Sequence, residues 1–166
     1  GHMSDGKDDT LEALGKRIES IRSAMLVTLD ENGQPWSRPM ITREMDDEGN
    51  LWFFTKRDST KIQDITSNNR VNVAYAKPDD ALYVSVTGLA TLVDDMEKKK
   101  ELWNPFVKAW FPDGIDDPEL VLLKVMPERA EYWQGPSTRV GRMISIATKL
   151  ATGGKVSTGK QVEITL

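Results

Sequence analysis

The sequence predicts a mainly β protein: a small antiparallel barrel with helices at its periphery, or a sandwich built from the same strands. Three observations support this. About six short runs of alternating or β-branched apolar residues follow one another along the chain. Turn signals rich in Asn, Asp and Gly separate them at short intervals, and only a few stretches carry helical spacing. The 166 residues suit a single domain and suffice to bury a real core.

The elements follow in order. Leu11, Leu14, Ile18 and Ile21 recur at helical spacing with charged residues on the other faces. They predict a first amphipathic helix capped by Asp9 or Thr10. "AMLVTL" reads as a strand, "DENGQ" as a turn with an Asn-Gly signal, and "PWSRPMIT" as its return. After "DDEGN" comes a strand from Leu51 to Thr55, then a short helix containing Lys61, Ile62 and Ile65 that ends near "SNNR". "VNVAYA" is a strand, "KPDD" a turn, and "ALYVSVTGLATLV" a long strand in which Gly88 marks a bulge.

A second helix is expected from about Asp95 to Trp110, with Trp103, Phe106 and Trp110 sharing a face that suits the core or a subunit interface. "FPDGIDDPE" is a loop; "LVLLKVMP" and "AEYW" are two further strands. Beyond Gly135 the pattern weakens. "MISIATKL" suits a short helix, and "QVEITL" is a last strand or a tail ordered by a partner. Residues 1–3 read as an expression-tag remnant, residues 4–135 as the domain, and residues 136–166 as an extension of it.

Composition narrows the chemistry. The only histidine, His2, lies in the tag-like segment, and the chain contains no cysteine. Thiol nucleophiles, Ser-His and Cys-His dyads, disulfides and the usual zinc sites are thereby excluded, so a cofactor is expected to carry any reaction. A net charge of −4 argues against general nucleic-acid binding. No apolar run is long enough to span a bilayer, and a cytoplasmic location is expected.

Three stretches could carry function. In "FFTKRDSTK" a strand end feeds a helix start, where free N–H groups and the helix dipole favour an anion. Ser59 or Thr60 can cap that helix, and Lys61 in its first turn suits an anionic partner. A solvated, capped turn is the plainer alternative. In "WSRPM", Arg38 projects from a strand beside Pro39, either towards a phosphate or ring carbonyl or into solvent. In "AEYWQG", alternation puts Glu131 and Trp133 on one face and Tyr132 on the other. Trp133 then stacks on a planar ligand or closes the core. Arg139 and Arg142 follow as anion contacts or surface residues.

The order of these pieces, "RPM", "WFFT" with Ser-x-Lys, "AWFP" and "AEYW", resembles the pyridoxamine 5'-phosphate oxidase-like family of FMN-binding split barrels, and more closely its general-stress-protein branch. The resemblance covers roughly residues 11–135. It implies a homodimeric split β-barrel with FMN at the subunit interface, performing flavin redox chemistry on an unknown small molecule; the alternatives are a non-catalytic stress or sensor module that holds flavin, or a true pyridoxamine 5'-phosphate oxidase. Residue by residue, Arg38, Pro39 and Met40 match the strand along the flavin ring and ribityl chain. Phe54 and Thr55 match an aromatic-Thr pair that meets the cofactor. Ser59 and Lys61 match its phosphate ligands, Thr60 falls where the oxidases have Arg, and Trp133 matches a Trp often supplied by the second subunit. Arg139 is the substrate-side candidate. Gly141 stands where the true oxidases have His, Met143 where they have Arg unless Arg142 substitutes by a one-residue shift, and Tyr83 where they have Gln. These departures imply weak or absent vitamin B6 oxidase activity. No catalytic residue and no metal ligand is singled out.

Overall fold

Thr10, the residue before α1 (Leu11–Ile21), accepts a 3.1 Å hydrogen bond from the Ala13 N–H and so caps that helix. The structure, a computed structural model, describes residues 10–136 and 160–166. After α1 come β1 (Ser23–Leu29), β2 (Pro35–Met45), β3 (Leu51–Lys56), α2 (Thr60–Ser67), β4 (Arg70–Lys77) and β5 (Leu82–Val93). They are followed by α3 (Met96–Leu102), α4 (Pro105–Trp110), β6 (Leu120–Gln134) and β7 (Lys160–Thr165). The strands run β3-β2-β1-β4-β5-β6-β7, every pairing given is antiparallel, and β3 also pairs with β6. That extra pairing closes six strands into a barrel and decides against a sandwich.

Inward-facing Leu26, Phe53, Val73, Val86, Leu123 and Tyr132 fill the barrel and are fully buried. Each contributes about 1.5–3 kcal/mol by leaving water. From α1, Leu14 and Ile18 join the same core, and the Arg17 guanidinium lies 4.1 Å from the centroid of the Tyr132 ring. A second cluster lies on the outer face of β3 and β6. There Trp52, Phe54, Leu120 and Leu122 pack against Leu102 of α3, Val107 of α4 and Phe111. This cluster fixes α4 beside the β2–β3 surface.

Two expectations are corrected. The strands read separately as "LVLLKVMP" and "AEYW" are one strand, β6, running 15 residues. Pro127 interrupts neither half, because it sits where the β5–β6 register shifts opposite Gly88 and a ladder bond is already lost. The approach there is so close that a Cβ on Gly88 would lie 2.2 Å from the Met126 carbonyl oxygen. The expected helix over residues 95–110 is broken into α3 and α4. Pro105 has no N–H and disfavours a helical residue before it; Asn104 is accordingly extended and caps α4 through the Val107 N–H at 3.0 Å. The common aromatic face is lost with the break: Trp103 packs edge-on against Phe54, while Phe106 and Trp110 are 81% and 70% exposed.

"QVEITL" is a strand: β7 pairs with the second half of β6 from Gln134↔Lys160 to Arg129↔Thr165. The expected helix "MISIATKL" and residues Arg139, Gly141, Arg142 and Met143 lie outside the described residues.

Candidate functional site

A cavity of about 970 Å³ lies between β2, β3, the start of α2 and α4. Pro39 and Ile41 reach it from the outward face of β2 and Phe54 from that of β3, while Met40 and Thr55 reach it from the inward face. Lys56, Asp58, Ser59 and Lys61 form the end beside α2; Arg22 and Arg43 stand together elsewhere on the wall. Phe106 and Trp110 of α4 also line the cavity and remain exposed.

The wall is strongly cationic in an acidic protein: Arg22, Arg43, Lys56 and Lys61 face a single carboxylate, Asp58. Burial pushes the Lys61 ammonium below its ordinary pKa, and the neighbouring positive charge of Arg38 lowers it further. Arg43 is likewise lowered, first by burial and then by Arg22. Such like-charged neighbours are relieved by an anion placed between them. The Thr55 hydroxyl is buried against this wall and has no hydrogen-bond partner among the described residues. An orphaned hydroxyl of this kind costs about 1–3 kcal/mol.

Ser59 precedes α2 in extended conformation, yet its hydroxyl does not cap the helix; it donates to the Lys56 carbonyl at 3.1 Å. The first N–H groups of α2 have no intrahelical acceptor and carry the positive end of the dipole.

The sequence-predicted residues divide into two groups. Pro39, Met40, Phe54, Thr55, Ser59 and Lys61 line one cavity. Arg38 does not: its guanidinium donates to the Thr28 hydroxyl at 2.7 Å and the Leu26 carbonyl at 3.2 Å, and lies 3.8 Å from the Asp64 carboxylate. It acts on the cavity through its charge beside Lys61. Thr60, the first residue of α2, is exposed outside the wall. Trp133 lies opposite Tyr83 on the outer face of the sheet, 37% exposed, and so does not close the core of its own chain.

Several wall residues escaped the sequence reading. Arg43 is the extra residue of a β-bulge between Thr42 and Glu44, which aims it outward and lets its Nε donate to the Leu102 carbonyl at 2.7 Å. Arg22 follows α1 with φ 64°, a positive-φ conformation that costs a non-glycine residue about 1–3 kcal/mol. Neither feature has a local signal. Phe106 and Trp110 were legible as aromatic residues on a helix, but not as the wall of a cavity. Asp64, buried on α2 and accepting a 3.0 Å bond from Thr28, sits one turn after Lys61 and pairs with Arg38.

Comparison with known proteins places this geometry among relatives. The family model described as pyridoxamine 5'-phosphate oxidase like matches residues 9–157. Protein bli-3 of Neurospora crassa is 28% identical over 167 residues, spanning 95% of this chain and 80% of the fungal protein. General stress protein 26 of Bacillus subtilis is 31% identical over 101 residues, 59% of this chain and 70% of that protein. The crystal structure of the general stress FMN/FAD binding protein of Xanthomonas citri superposes with a TM-score of 0.66 at 32% identity, covering 77% of this chain and 90% of that one. Against a pyridoxine/pyridoxamine 5'-phosphate oxidase of Shewanella halifaxensis, the match is 29% identical and spans only 50% of the oxidase.

Proposed function

The chain belongs to the pyridoxamine 5'-phosphate oxidase-like family, and on that footing we propose that it binds FMN in the β2–β3–α2 cavity as a homodimer and uses it in redox chemistry on a small substrate. The observation that carries this reading is the buried Thr55 hydroxyl, which has no partner among the described residues, in the same cavity wall as the Lys61 ammonium, whose pKa burial and the Arg38 charge push down. A ligand with a phosphate at one end and a hydrogen-bonding planar body answers both.

In this reading Ser59, Lys61 and the first N–H groups of α2 hold the phosphate, with Arg38 behind them and fixed by Asp64. Thr55 supplies a hydroxyl to the cofactor, and Pro39, Met40 and Phe54 provide a dry surface for its ring. FMN, when bound, supplies the electron-transfer chemistry that the side chains lack. The protein's part is to orient the ring, exclude water from one face and keep the phosphate end cationic.

The dimer is supported by the outer face of the sheet. The registers Met25↔Pro39, Met25↔Ala74, Ala76↔Tyr83 and Tyr83↔Trp133 carry an apolar band from the cavity lip across five strands. Met25, Ile41, Tyr83 and Trp133 are all exposed on it. A contiguous apolar face of this kind is costly in water, and a second copy seated there covers it and brings its own Trp133 towards the neighbouring cavity.

A second reading has its own observation. Among the described residues the cavity wall holds one carboxylate and no phenol, so few groups can move a proton. This favours a module that holds flavin without turning over substrate. Flavin reduction by NAD(P)H followed by rapid reoxidation supports the enzyme; a flavin that no such donor reduces supports the module.

The decisive experiment is flavin titration of the purified protein by visible absorption and fluorescence. Lys61→Ala is expected to weaken FMN by about tenfold or more while leaving riboflavin nearly unchanged, as loss of a charge-assisted phosphate contact requires. A protein that takes up no FMN refutes the proposal.

A further inference from the structure

Three consecutive charges, Lys56, Arg57 and Asp58, join β3 to the residue before α2, and the fold separates them. Lys56 and Asp58 line the cavity, whereas Arg57 is absent from its wall. The Arg57 guanidinium turns instead to the Asp94 carboxylate just beyond β5. The other Asp94 oxygen accepts a 2.6 Å hydrogen bond from Lys99 of α3. Lys99 is only 5% exposed, so little water is available to replace Asp94 as its partner. The Arg57 N–H also donates 2.7 Å to the Glu119 carbonyl, one residue past the β3–β6 ladder. Arg57 is thus tied through its backbone to the start of β6 and through its side chain to α3. The next two residues, Asp58 and Ser59, open the anion end of the cavity.

We propose that Asp94 is a positioning residue for the anion cradle: by bridging Arg57 to Lys99 it fixes the Lys56–Ser59 turn so that Ser59 and Lys61 face a ligand phosphate. The inference rests on the phosphate reading of that cavity. The two cations hold the Asp94 carboxyl below its ordinary pKa, through the Lys99 bond first and the Arg57 bond second, so the bridge stays ionised at neutral pH. Without the bridge, the buried Lys99 ammonium loses its carboxylate, the half-exposed Arg57 guanidinium turns to water, and the turn loses its side-chain anchor. Contacts to the flavin ring come from β2 and β3 and do not depend on this tether. The loss therefore falls on the phosphate.

The test compares FMN and riboflavin affinities of the full chain for the wild type, Asp94→Asn, Arg57→Ala and the double variant. Asp94→Asn is expected to weaken FMN about tenfold, roughly 1.4 kcal/mol, with riboflavin changed by less than about twofold. Arg57→Ala, which leaves the Asp94–Lys99 pair intact, should lose FMN affinity selectively as well, and the double variant should be no weaker than the weaker single. An FMN-to-riboflavin ratio equal to the wild type's in Asp94→Asn or Arg57→Ala overturns the role, because a merely structural defect weakens both ligands alike. If the wild type itself does not prefer FMN to riboflavin, the phosphate reading falls and this inference falls with it. If Asp94→Asn fails to fold, Arg57→Ala alone decides between the two outcomes.

Discussion

Thr55 and Lys61 are each held in a state that the fold alone does not favour. Replacing Thr55 with the isosteric Val removes a buried hydroxyl without a partner. The apo protein is expected to gain about 1 kcal/mol in urea unfolding while flavin affinity falls. No gain in stability, or undiminished flavin binding, contradicts the role given to that hydroxyl. Lys61 obeys a similar logic with pH. Its pKa lies below the ordinary 10.5, because of burial first and Arg38 second. Between the folded pKa and 10.5 the unfolded chain binds more protons than the folded one, so the Lys61 contribution to apo stability rises with pH across that window. Phosphate binding needs the charged form and runs the opposite way. FMN affinity is expected to begin falling at a lower pH than an ordinary lysine would allow, and Lys61→Met should remove that inflection from a pH titration of the dissociation constant.

Each element of the site owes its position to a local device. The break between α3 and α4 places Phe106 and Trp110 at the cavity, and Asn104 secures it by capping α4. Asn104→Ala is expected to cost about 1 kcal/mol, read as a lower thermal midpoint. If the midpoint is unchanged, the cap is not holding α4 in place. In β6 the long strand depends on the close approach at Gly88, where an added methyl group meets the Met126 backbone. Backbone cannot yield as a flexible side chain does, so Gly88→Ala should destabilise the fold by about 3 kcal/mol or prevent folding. A normal unfolding midpoint would show that the β5–β6 bulge is looser than described. The bulge at Arg43 and the positive φ at Arg22 are devices of the same kind, and both place an arginine in the cavity wall.

Over the whole molecule, the closed barrel sets its inner face against α1 and leaves an apolar outer band leading to the cavity. A charge placed in that band tests the dimer directly. Tyr83→Glu is expected to shift the protein from dimer to monomer in sedimentation velocity and to weaken FMN, although Tyr83 lies outside the cavity of its own chain. A wild-type protein that sediments as a monomer rules out the dimer.

Much of the fold was legible because its signals are local. Helix α1, the turns after β1 and β2, the start of α2 and the Gly88 bulge follow from spacing, turn residues and caps within a few positions. The stretches around Arg38, Thr55, Ser59–Lys61 and Trp133 stood out only through their order along the chain and the family resemblance that order carries, since each alone also suits a plain surface or core role. Closure of the barrel was not, because the β3–β6 pairing joins strands separated by more than sixty residues and leaves no mark on either. The same reason hid the partners of the site: Asp94 meets Arg57 across 37 positions, Arg43 meets Leu102 across 59, and Asp64 meets Arg38 only once α2 packs on β1 and β2. By itself, the sequence determined which residue types are present, which excludes thiol and histidine chemistry, and where most strands and helices begin, though neither the start of α4 at Pro105 nor the continuity of β6. Only the tertiary structure decided which charges are paired, which face a cavity and which hydroxyl is left without a partner. Those properties depend on distance and burial, which the packing of remote segments alone supplies.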